Sequence, residues 1–332
     1  MTNETINDNV KIWIDTDAGD DVDDAFAVVM AACAGLQIEG VSTVYRNAAQ
    51  RAMLVKTLLR SLRLGHTPVY AGADDPIREP VRRYGFETRG ADGKIDIPHF
   101  FPDMACAYDG GGAADAILAA LRKQPGELTL VGLGPMTNLA AAFAKDPAAF
   151  RSCRELVLMG GCYAQEFAEW NIRCDPEAAR IVFASGVKIR AVGLEHTRNC
   201  VLSPSETARI ASLPGETFRL LSRMLAKYAA DFRGERAPCM HDPLAVSVLT
   251  ADFCRFQPLA VTVGTEGAER GLTLPAPGAA GGANPEGGAM QVAAEADCQN
   301  FKRYLLELLE EGRERDGSVA QNDAFSFQAN RL

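Results

Sequence analysis

The sequence predicts an α/β fold: a single domain in which a mostly parallel sheet is covered by helices on both faces. Short apolar runs alternate with longer segments of helical periodicity along most of the 332 residues. Strands separated by helices at this spacing form βαβ units. The hydrophobic fraction of 47% and the charged fraction of 23% are typical of a globular chain, and a chain of this length can bury a large core.

Seven short apolar runs predict the strands. The first run, Ile12-Trp13-Ile14, ends directly before an acidic stretch. In chain order the predicted strands are residues 11–14, 40–44, 68–70, 128–131, 155–159, 188–192 and 258–263. In sheets of this class, ligands bind beyond the carboxyl ends of the strands, so the acidic stretch lies where a ligand is expected.

Eight segments with helical periodicity predict the helices. The first begins right after the acidic stretch, with an apolar pattern from Ala25 onward. In chain order the predicted helices are residues 24–34, 48–62, 113–123, 138–144, 176–185, 216–228, 243–249 and 297–311. Each is bounded by a predicted strand or by a polar connection, as βαβ units require.

Three segments depart from this alternation. Residues 74–112 are polar and rich in glycine and proline, which predicts either an irregular flap near the site or a plain surface excursion. Residues 275–288 are of low complexity and predict a flexible loop. From about residue 313 the chain reads as a polar tail. No internal repeat and no domain boundary is visible, so residues 1–332 are expected to form one domain.

The acidic stretch is the most informative part of the chain. Six carboxylates lie within ten residues: Asp15, Asp17, Asp20, Asp21, Asp23 and Asp24. One or two aspartates would be ordinary in the first turn of a helix, but six repel each other strongly. A bound divalent cation would offset that repulsion, and oxygen ligands suit a hard ion such as Ca²⁺ or Mg²⁺. The alternative is a solvated acidic helix N-terminus.

Composition excludes several classes of partner. The net charge of −9 argues against nucleic acid, because phosphate binding needs a basic patch. No signal peptide opens the chain and no apolar stretch approaches about 18 residues, which predicts a cytoplasmic protein without a membrane partner. The nine cysteines form no CxxC pair, so reduced thiols are expected instead of disulfides or a zinc site.

Three further motifs carry polar groups after predicted strands or at helix starts. The turn Gly132-Leu133-Gly134 lets the backbone approach a ligand, although a tight turn explains it equally well. Glu169 and Asn171 are spaced by two, so in an extended segment both side chains point the same way. A carboxylate beside an amide suits the hydroxyls of a sugar. The alternative is that both are ordinary polar residues of a loop. His241-Asp242 stands at the start of an apolar helix.

The order of these motifs resembles one known family. DxDxG…DDAxA, GxGPxTNLA, MGG…AEWNI…DPEAA and HDPLA follow one another as in the inosine-uridine-preferring nucleoside hydrolases, over residues 11–248. The resemblance implies a Rossmann-like nucleoside hydrolase fold and calcium-dependent hydrolysis of the N-glycosidic bond of ribonucleosides, giving free base and ribose. It also implies that the protein is a homodimer or homotetramer and that it binds a small-molecule ribonucleoside as substrate.

The resemblance assigns the metal and catalytic residues one by one. Asp17 matches a calcium ligand that also acts as general base on a water molecule. Asp24 and Asp242 match the other carboxylate ligands, and Leu133 matches a position that donates its backbone carbonyl. His241 matches a residue near the leaving base, a candidate general acid.

The resemblance also assigns four substrate-binding residues. Asp23 and Asn47 match residues that hold the 2′ side of the ribose, and Glu169 and Asn171 match the pair that holds the 3′ and 5′ hydroxyls. Three residues separate Gly19 from Asp23 where the family motif has one.

Because of this difference, a second alignment would give the metal and ribose roles to Asp20 and Asp21 in place of Asp23 and Asp24. The base-recognition side has no clear counterpart in this sequence; Gln165 is a weak candidate. The preferred base therefore stays open.

Two other functions are compatible with parts of the pattern. A catalytically weak nucleoside- or ribose-binding protein of the same fold would explain the altered base side. A haloacid-dehalogenase-type phosphatase would use Asp15 as nucleophile and Asp17 as acid, but Gly19 stands where that family normally has threonine or valine.

Overall fold

A nine-stranded sheet organises the protein. The computed structural model describes residues 10–78, 80–82, 89, 93–276 and 290–326, with side chains to residue 312. The strands of the sheet are β1 (Lys11–Thr16), β2 (Gln37–Thr43), β3 (Val69–Ala71), β4 (Gly110–Gly111), β5 (Leu128–Gly132), β6 (Glu155–Met159), β7 (Ile189–Val192), β8 (Cys254–Pro258) and β11 (Met290–Ala296). Their order is β4-β3-β2-β1-β5-β6-β7-β11-β8, and all pairs are parallel except β11 with β8. A separate antiparallel pair joins β9 (Val261–Val263) to β10 (Thr273–Pro275).

The described helices lie on both faces of this sheet. They are α1 (Asp23–Cys33), α2 (Ala48–Ser61), α3 (Ala113–Lys123), α4 (Thr137–Lys145), α5 (Pro147–Phe150), α6 (Trp170–Cys174), α7 (Pro176–Phe183), α8 (Leu194–Thr197), α9 (Pro204–Ala211), α10 (Glu216–Asp231), α11 (His241–Ser247) and α12 (Cys298–Ser326). Successive side chains of a strand point to opposite faces. Accordingly, Ile12 and Ile14 pack in one apolar cluster with α1, α2 and α10 to α12, whereas Trp13 packs in another with α3, α4 and α7. The predicted α/β class is confirmed.

Some predicted elements differ in extent from the observed ones, and some observed elements were not predicted. The predicted strand at 258–263 is two strands, because Pro258 ends β8 and the chain turns into β9. The strand β11 was missed, since it follows directly on the low-complexity residues. The short helices α5, α6 and α8 carry too few residues for periodicity to reveal them, and α9 was not predicted either.

Three predicted segments are described only in part. Residues 277–288 of the predicted loop lie outside the described residues, as do residues 79, 83–88 and 90–92 of the predicted flap. Helix α12 continues to Ser326, so the start of the predicted polar tail is helical.

Among the described residues, no helix combines the length and the apolar composition that crossing a bilayer requires.

The parallel register brings three strand ends together. Asp15 of β1 lies opposite Gly132 of β5, which lies opposite Leu158 of β6. The segments after these strands, residues 17–24, 133–138 and 160–171, therefore meet at one edge of the sheet, where ligands bind in this class of fold.

Candidate active site

A cavity of about 210 Å³ opens beyond the carboxyl ends of the central strands. Eight of the nine predicted site residues line it, Asn47 being the exception. The lining combines aspartates, large apolar side chains and a few other polar groups: Asp17, Asp20, Asp21, Asp23, Asp24, Leu133, Met159, Phe167, Glu169, Trp170, Asn171, Leu194, His241 and Asp242.

Two glycines let the loops around the acidic stretch approach each other. Gly19 has φ +103°, and a Cβ there would collide with the side chain of Ile97. A Cβ on Gly134 would lie 2.9 Å from the backbone nitrogen of Asp17. The turn after β5 is thus packed directly against Asp17.

The cavity holds its carboxylates in an electrostatically unfavourable state. Burial, followed by the negative charge of Asp21, raises the pKa of Asp24 to about 7. Burial raises the pKa of Asp23 to about 6 and the pKa values of Asp17 and Asp242 well above their usual range, and neighbouring aspartates add to each shift. A bound cation would reverse this cost by stabilising the ionised forms.

Several oxygen atoms are placed to hold such a cation. Asp21, Asp23 and Asp24 can each offer a carboxylate oxygen within 4.8 Å of the others. The carbonyl oxygen of Leu133, which accepts from Asn171 Nδ2 at 2.8 Å, keeps a second lone pair. Oxygen donors alone suit a hard divalent ion, and carboxylates with a carbonyl are the usual ligands of calcium.

Asp21 and Asp20 take different places in this arrangement. Asp21 joins the group with Asp23 and Asp24, so it belongs to the site whichever alignment is preferred. Asp20 also lines the cavity, but its Oδ1 accepts from Arg51 at 2.8 Å and from Arg46 at 3.3 Å. Asp20 therefore serves as the counter-charge of two arginines.

Arg51 ties the acidic loop to α2. Its guanidinium is buried and donates to the carbonyl oxygens of Asp17, of Ala18 at 3.0 Å and of Tyr45 at 2.8 Å, besides the pair with Asp20. The positive charge of Arg51 also opposes the rise of the Asp17 pKa. Sequence reasoning missed Arg51, because nothing local marks a contact between residues 31 positions apart.

Glu169 and Asn171 are held by main-chain groups. Glu169 begins α6 as its N-cap, and its carboxylate accepts from the amides of Asn171 at 2.9 Å, Ile172 at 3.2 Å and Gly161 at 2.9 Å. Asn171 donates from Nδ2 to the carbonyls of Leu133 and of Met159, the latter at 3.1 Å. These contacts fix both side chains at the cavity and leave Asn171 Oδ1 available to a ligand hydroxyl.

Asn47 lies outside the cavity lining. It is the N-cap of α2, where its Oδ1 accepts from the amide of Gln50 at 3.2 Å. The chain reaches it through Tyr45 and Arg46, which have φ of 73° and 64°. Asn47 does not line the cavity with the other predicted ribose-binding residues, and its role stays a prediction.

His241 stands at the first position of α11, beside the acidic group. Its Nδ1 lies 2.8 Å from Thr197 Oγ1, and burial lowers its pKa. The backbone amide of Asp242 donates to Asp23 Oδ2 at 3.1 Å, which joins the start of α11 to the start of α1. The two predicted motifs thus meet although they are far apart in sequence.

Asp15 is placed unlike a phosphatase nucleophile. It is 1% exposed and does not line the cavity. Its Oδ1 accepts from Ser42 Oγ at 2.5 Å and from Asn138 Nδ2 at 2.8 Å. A carboxylate enclosed in this way cannot attack a phosphate ester. Asp15 therefore cannot act as the nucleophile that a phosphatase of this kind would require.

The apolar part of the lining was largely missed from the sequence. Met159, Phe167, Trp170 and Leu194 supply this apolar surface. Phe167 is 49% exposed and lines the cavity, so its ring is accessible to a ligand. In the sequence, Phe167 is an aromatic residue in the polar segment before Glu169, and this feature could have indicated an apolar binding surface.

Comparison with known proteins gives a consistent result. The sequence model of the inosine-uridine preferring nucleoside hydrolases matches residues 12–303. Uridine nucleosidase 1 of Arabidopsis thaliana is 30% identical over 319 residues, which cover 91% of this chain and 94% of that protein. The pyrimidine-specific ribonucleoside hydrolase RihB of Escherichia coli O157:H7 is 35% identical over 225 residues, 65% of this chain and 69% of the relative.

Solved structures show the same likeness. The plant nucleoside hydrolase PpNRh1 superposes with a TM-score of 0.77 at 28% identity, covering 90% of this chain and 98% of that one. The purine-preferring ribonucleoside hydrolase from Gardnerella vaginalis gives a TM-score of 0.78 at 26% identity, with 91% and 99% covered.

Proposed function

This chain belongs to the inosine-uridine preferring nucleoside hydrolase family, which makes it an N-glycosidase, and we propose that it uses calcium to hydrolyse ribonucleosides to free base and ribose. One observation carries the proposal. Asp17, Asp24, Asp242, Leu133 and His241 all line one cavity beyond the carboxyl ends of the central strands.

The metal would be held by Asp17, Asp24, Asp242 and the carbonyl oxygen of Leu133. Burial and, after it, neighbouring carboxylates raise the pKa values of Asp17, Asp24 and Asp242, and a divalent cation would offset that cost of ionisation. When bound, calcium would supply positive charge that lowers the pKa of water and orients the ribose hydroxyls.

Asp17 would act as the general base. An aspartate alone is a weak base, and a water molecule whose pKa the metal lowers would narrow that mismatch. Arg51 holds the Asp17 backbone in place, so the carboxylate needs no rearrangement to receive the proton. The remaining carboxylates would stabilise the positive charge that develops on the ribose as the glycosidic bond breaks.

Asp23, Glu169 and Asn171 would bind the ribose hydroxyls. Asn171 and Glu169 are oriented by main-chain groups, and Asp23 is oriented by the amide of Asp242. Clamping the hydroxyls in this way converts binding energy into orientation of the reacting bond.

His241 would protonate the leaving base. It lines the same cavity as Phe167, Trp170 and Leu194, which offer an apolar surface for a planar base. Curated relatives are named for uridine and other pyrimidine ribonucleosides, and a structural relative for purine ribonucleosides. We therefore include both base classes among the candidate substrates.

A ribose-release assay tests the proposal. The purified protein would be offered inosine, uridine, adenosine, guanosine and cytidine, before and after chelation. We expect release of reducing sugar from at least one of them, loss of release on chelation and recovery with calcium. Protection of the protein from unfolding by nucleosides, without any product, would instead support the binding-protein interpretation.

The homodimer or homotetramer and the cytoplasmic location implied by the sequence stay predictions. Light scattering coupled to size exclusion would test the first.

A further inference from the structure

Thr197, a buried residue outside the cavity lining, contacts His241, the candidate general acid. Thr197 is the last residue of α8, is 0% exposed and does not line the cavity. Its Oγ1 lies 2.8 Å from His241 Nδ1, a normal hydrogen-bond length. The hydroxyl can donate to Nδ1 of a neutral imidazole or accept from Nδ1–H of an imidazolium.

Main-chain contacts fix the distance between these two side chains. Val201 and Cys239 form an antiparallel bridge, and the amide of Met240 donates to the carbonyl of Cys200 at 2.9 Å. The segment after Thr197 is therefore tied to the segment that leads into His241. Because the connection is made by the backbone, Thr197 meets the ring at a set position.

Cys239 is a much weaker contact of the same ring. Its Sγ lies 3.9 Å from His241 Nδ1 and 3.1 Å from the carbonyl oxygen of Thr197, to which the thiol donates. Thiols are weak hydrogen-bond partners, so the threonine hydroxyl is the group that orients the imidazole.

We propose that Thr197 is a positioning residue for the leaving-group step: it holds His241 Nδ1 so that the opposite nitrogen, Nε2, delivers a proton to the departing nucleobase. Among the described residues no partner occupies Nε2, and His241 lines the cavity. The inference rests on the proposed function and deepens it.

The step is balanced without an added reagent. Water adds to C1′ of the ribose and loses a proton to Asp17. The C1′–N bond breaks with its electron pair passing to the base nitrogen, which takes the proton from His241 Nε2. Asp17 then releases its proton to solvent, solvent returns a proton to His241, and Thr197 neither gains nor loses one.

The test compares two leaving groups in wild type and in Thr197→Val. Inosine and uridine leave as bases that need a proton, whereas p-nitrophenyl β-D-ribofuranoside releases a stable phenolate. We expect Thr197→Val to lower kcat on the nucleosides by about 10- to 100-fold, since positioned acid catalysis contributes about 100- to 10,000-fold in all. Rates on the nitrophenyl riboside should stay within about twofold, and Thr197→Ser should recover most of the nucleoside activity.

A matched substitution controls for the loss of a buried hydroxyl. Thr129 in β5 is also buried, and its Oγ1 has no hydrogen-bond partner among the residues that the structure describes. Thr129→Val should leave both substrates unaffected. Equal loss on both substrates in Thr197→Val, or failure of the serine variant to recover activity, would show a merely structural role and overturn the inference.

Two results separate this inference from the function on which it rests. Full nucleoside activity in Thr197→Val would overturn the role of Thr197 alone. Absence of ribose release by the wild type from every nucleoside would overturn the proposed function and, with it, this role.

Discussion

Arg51 and Asp20 form an ion pair closed to solvent, with Nη2 and Oδ1 2.8 Å apart and the arginine side chain 0% exposed. The pair joins α2 to the acidic loop, and its acidic member Asp20 also lines the cavity. The guanidinium of Arg51 holds the loop through this pair and through the carbonyl oxygens of Asp17 and Ala18.

Arg51→Met should destabilise the protein by about 3 kcal/mol, because it leaves a buried carboxylate without its main partner. The carbonyl of Asp17 loses its donor in the same variant, so calcium affinity should fall as well. Urea unfolding of Arg51→Met and of Arg51→Met/Asp20→Asn checks this. The double variant should regain part of the stability, and a cost below about 0.5 kcal/mol in the single variant would contradict the account.

Metal binding should depend on Asp24 and Asp242. Calcium should raise the melting temperature of the chelated wild type, since a ligand that binds the native state stabilises it. In Asp24→Asn and Asp242→Asn this rise should be lost together with ribose release. Asp115→Asn alters an exposed aspartate paired with Lys145 and serves as the control. An unchanged calcium response in Asp24→Asn would remove it from the ligand set.

The 2′ hydroxyl should be essential for turnover. A deoxynucleoside leaves the predicted partners of that hydroxyl, Asp23 and the metal, without their contact. Sites built around a substrate hydroxyl reject analogues that lack it, and we expect kcat/KM for 2′-deoxyinosine to be at least about 100-fold below that for inosine. Comparable rates would mean that the ribose binds in another orientation.

Phe167 should contribute to substrate affinity. Its ring is half exposed at the cavity, where a planar base could stack on it. Phe167→Ala should raise KM several-fold and leave stability within about 0.5 kcal/mol, because little apolar contact within the protein is lost. Ile77→Ala provides the matched control, since Ile77 is 52% exposed and does not line the cavity. Equal KM values in the two variants would argue against stacking.

His99 should make the stability depend on pH. Burial lowers the pKa of His99 to about 4, so between about pH 6.5 and 4 the unfolded chain binds the proton that the folded protein refuses. The free energy of unfolding should therefore fall by about 2 kcal/mol between pH 7 and pH 5 through this residue.

Urea unfolding at both pH values, compared with His99→Asn, isolates this contribution from that of the carboxyl groups. His66 is exposed, and His66→Asn should behave like the wild type. Identical pH dependence in wild type and His99→Asn would contradict the assignment.

The sequence predicted the strands and helices that are long, apolar and periodic. Of the nine site residues predicted from the sequence, eight line the cavity, because the motifs after β1, β5 and β6 and at the start of α11 identify them. The order of motifs was decisive for these residues, since no motif alone distinguishes a site from an ordinary turn.

What the sequence left out depends on contacts between distant segments. Arg51 reads as one basic residue on a helix, and only its burial against Asp20 shows its role. Thr197 is similar, because its partner His241 is 44 positions away. Asn47 shows a second role of this kind: besides the ligand contact that the resemblance implies, its side chain caps helix α2.

The most direct test of the account is a calcium titration of ribose release by the chelated enzyme, with inosine and uridine as substrates. The wild type should be inactive without metal and regain activity as calcium is returned, while Asp242→Asn stays inactive throughout. Full activity in the thoroughly chelated wild type, or in Asp242→Asn, would contradict a calcium-dependent mechanism at this site.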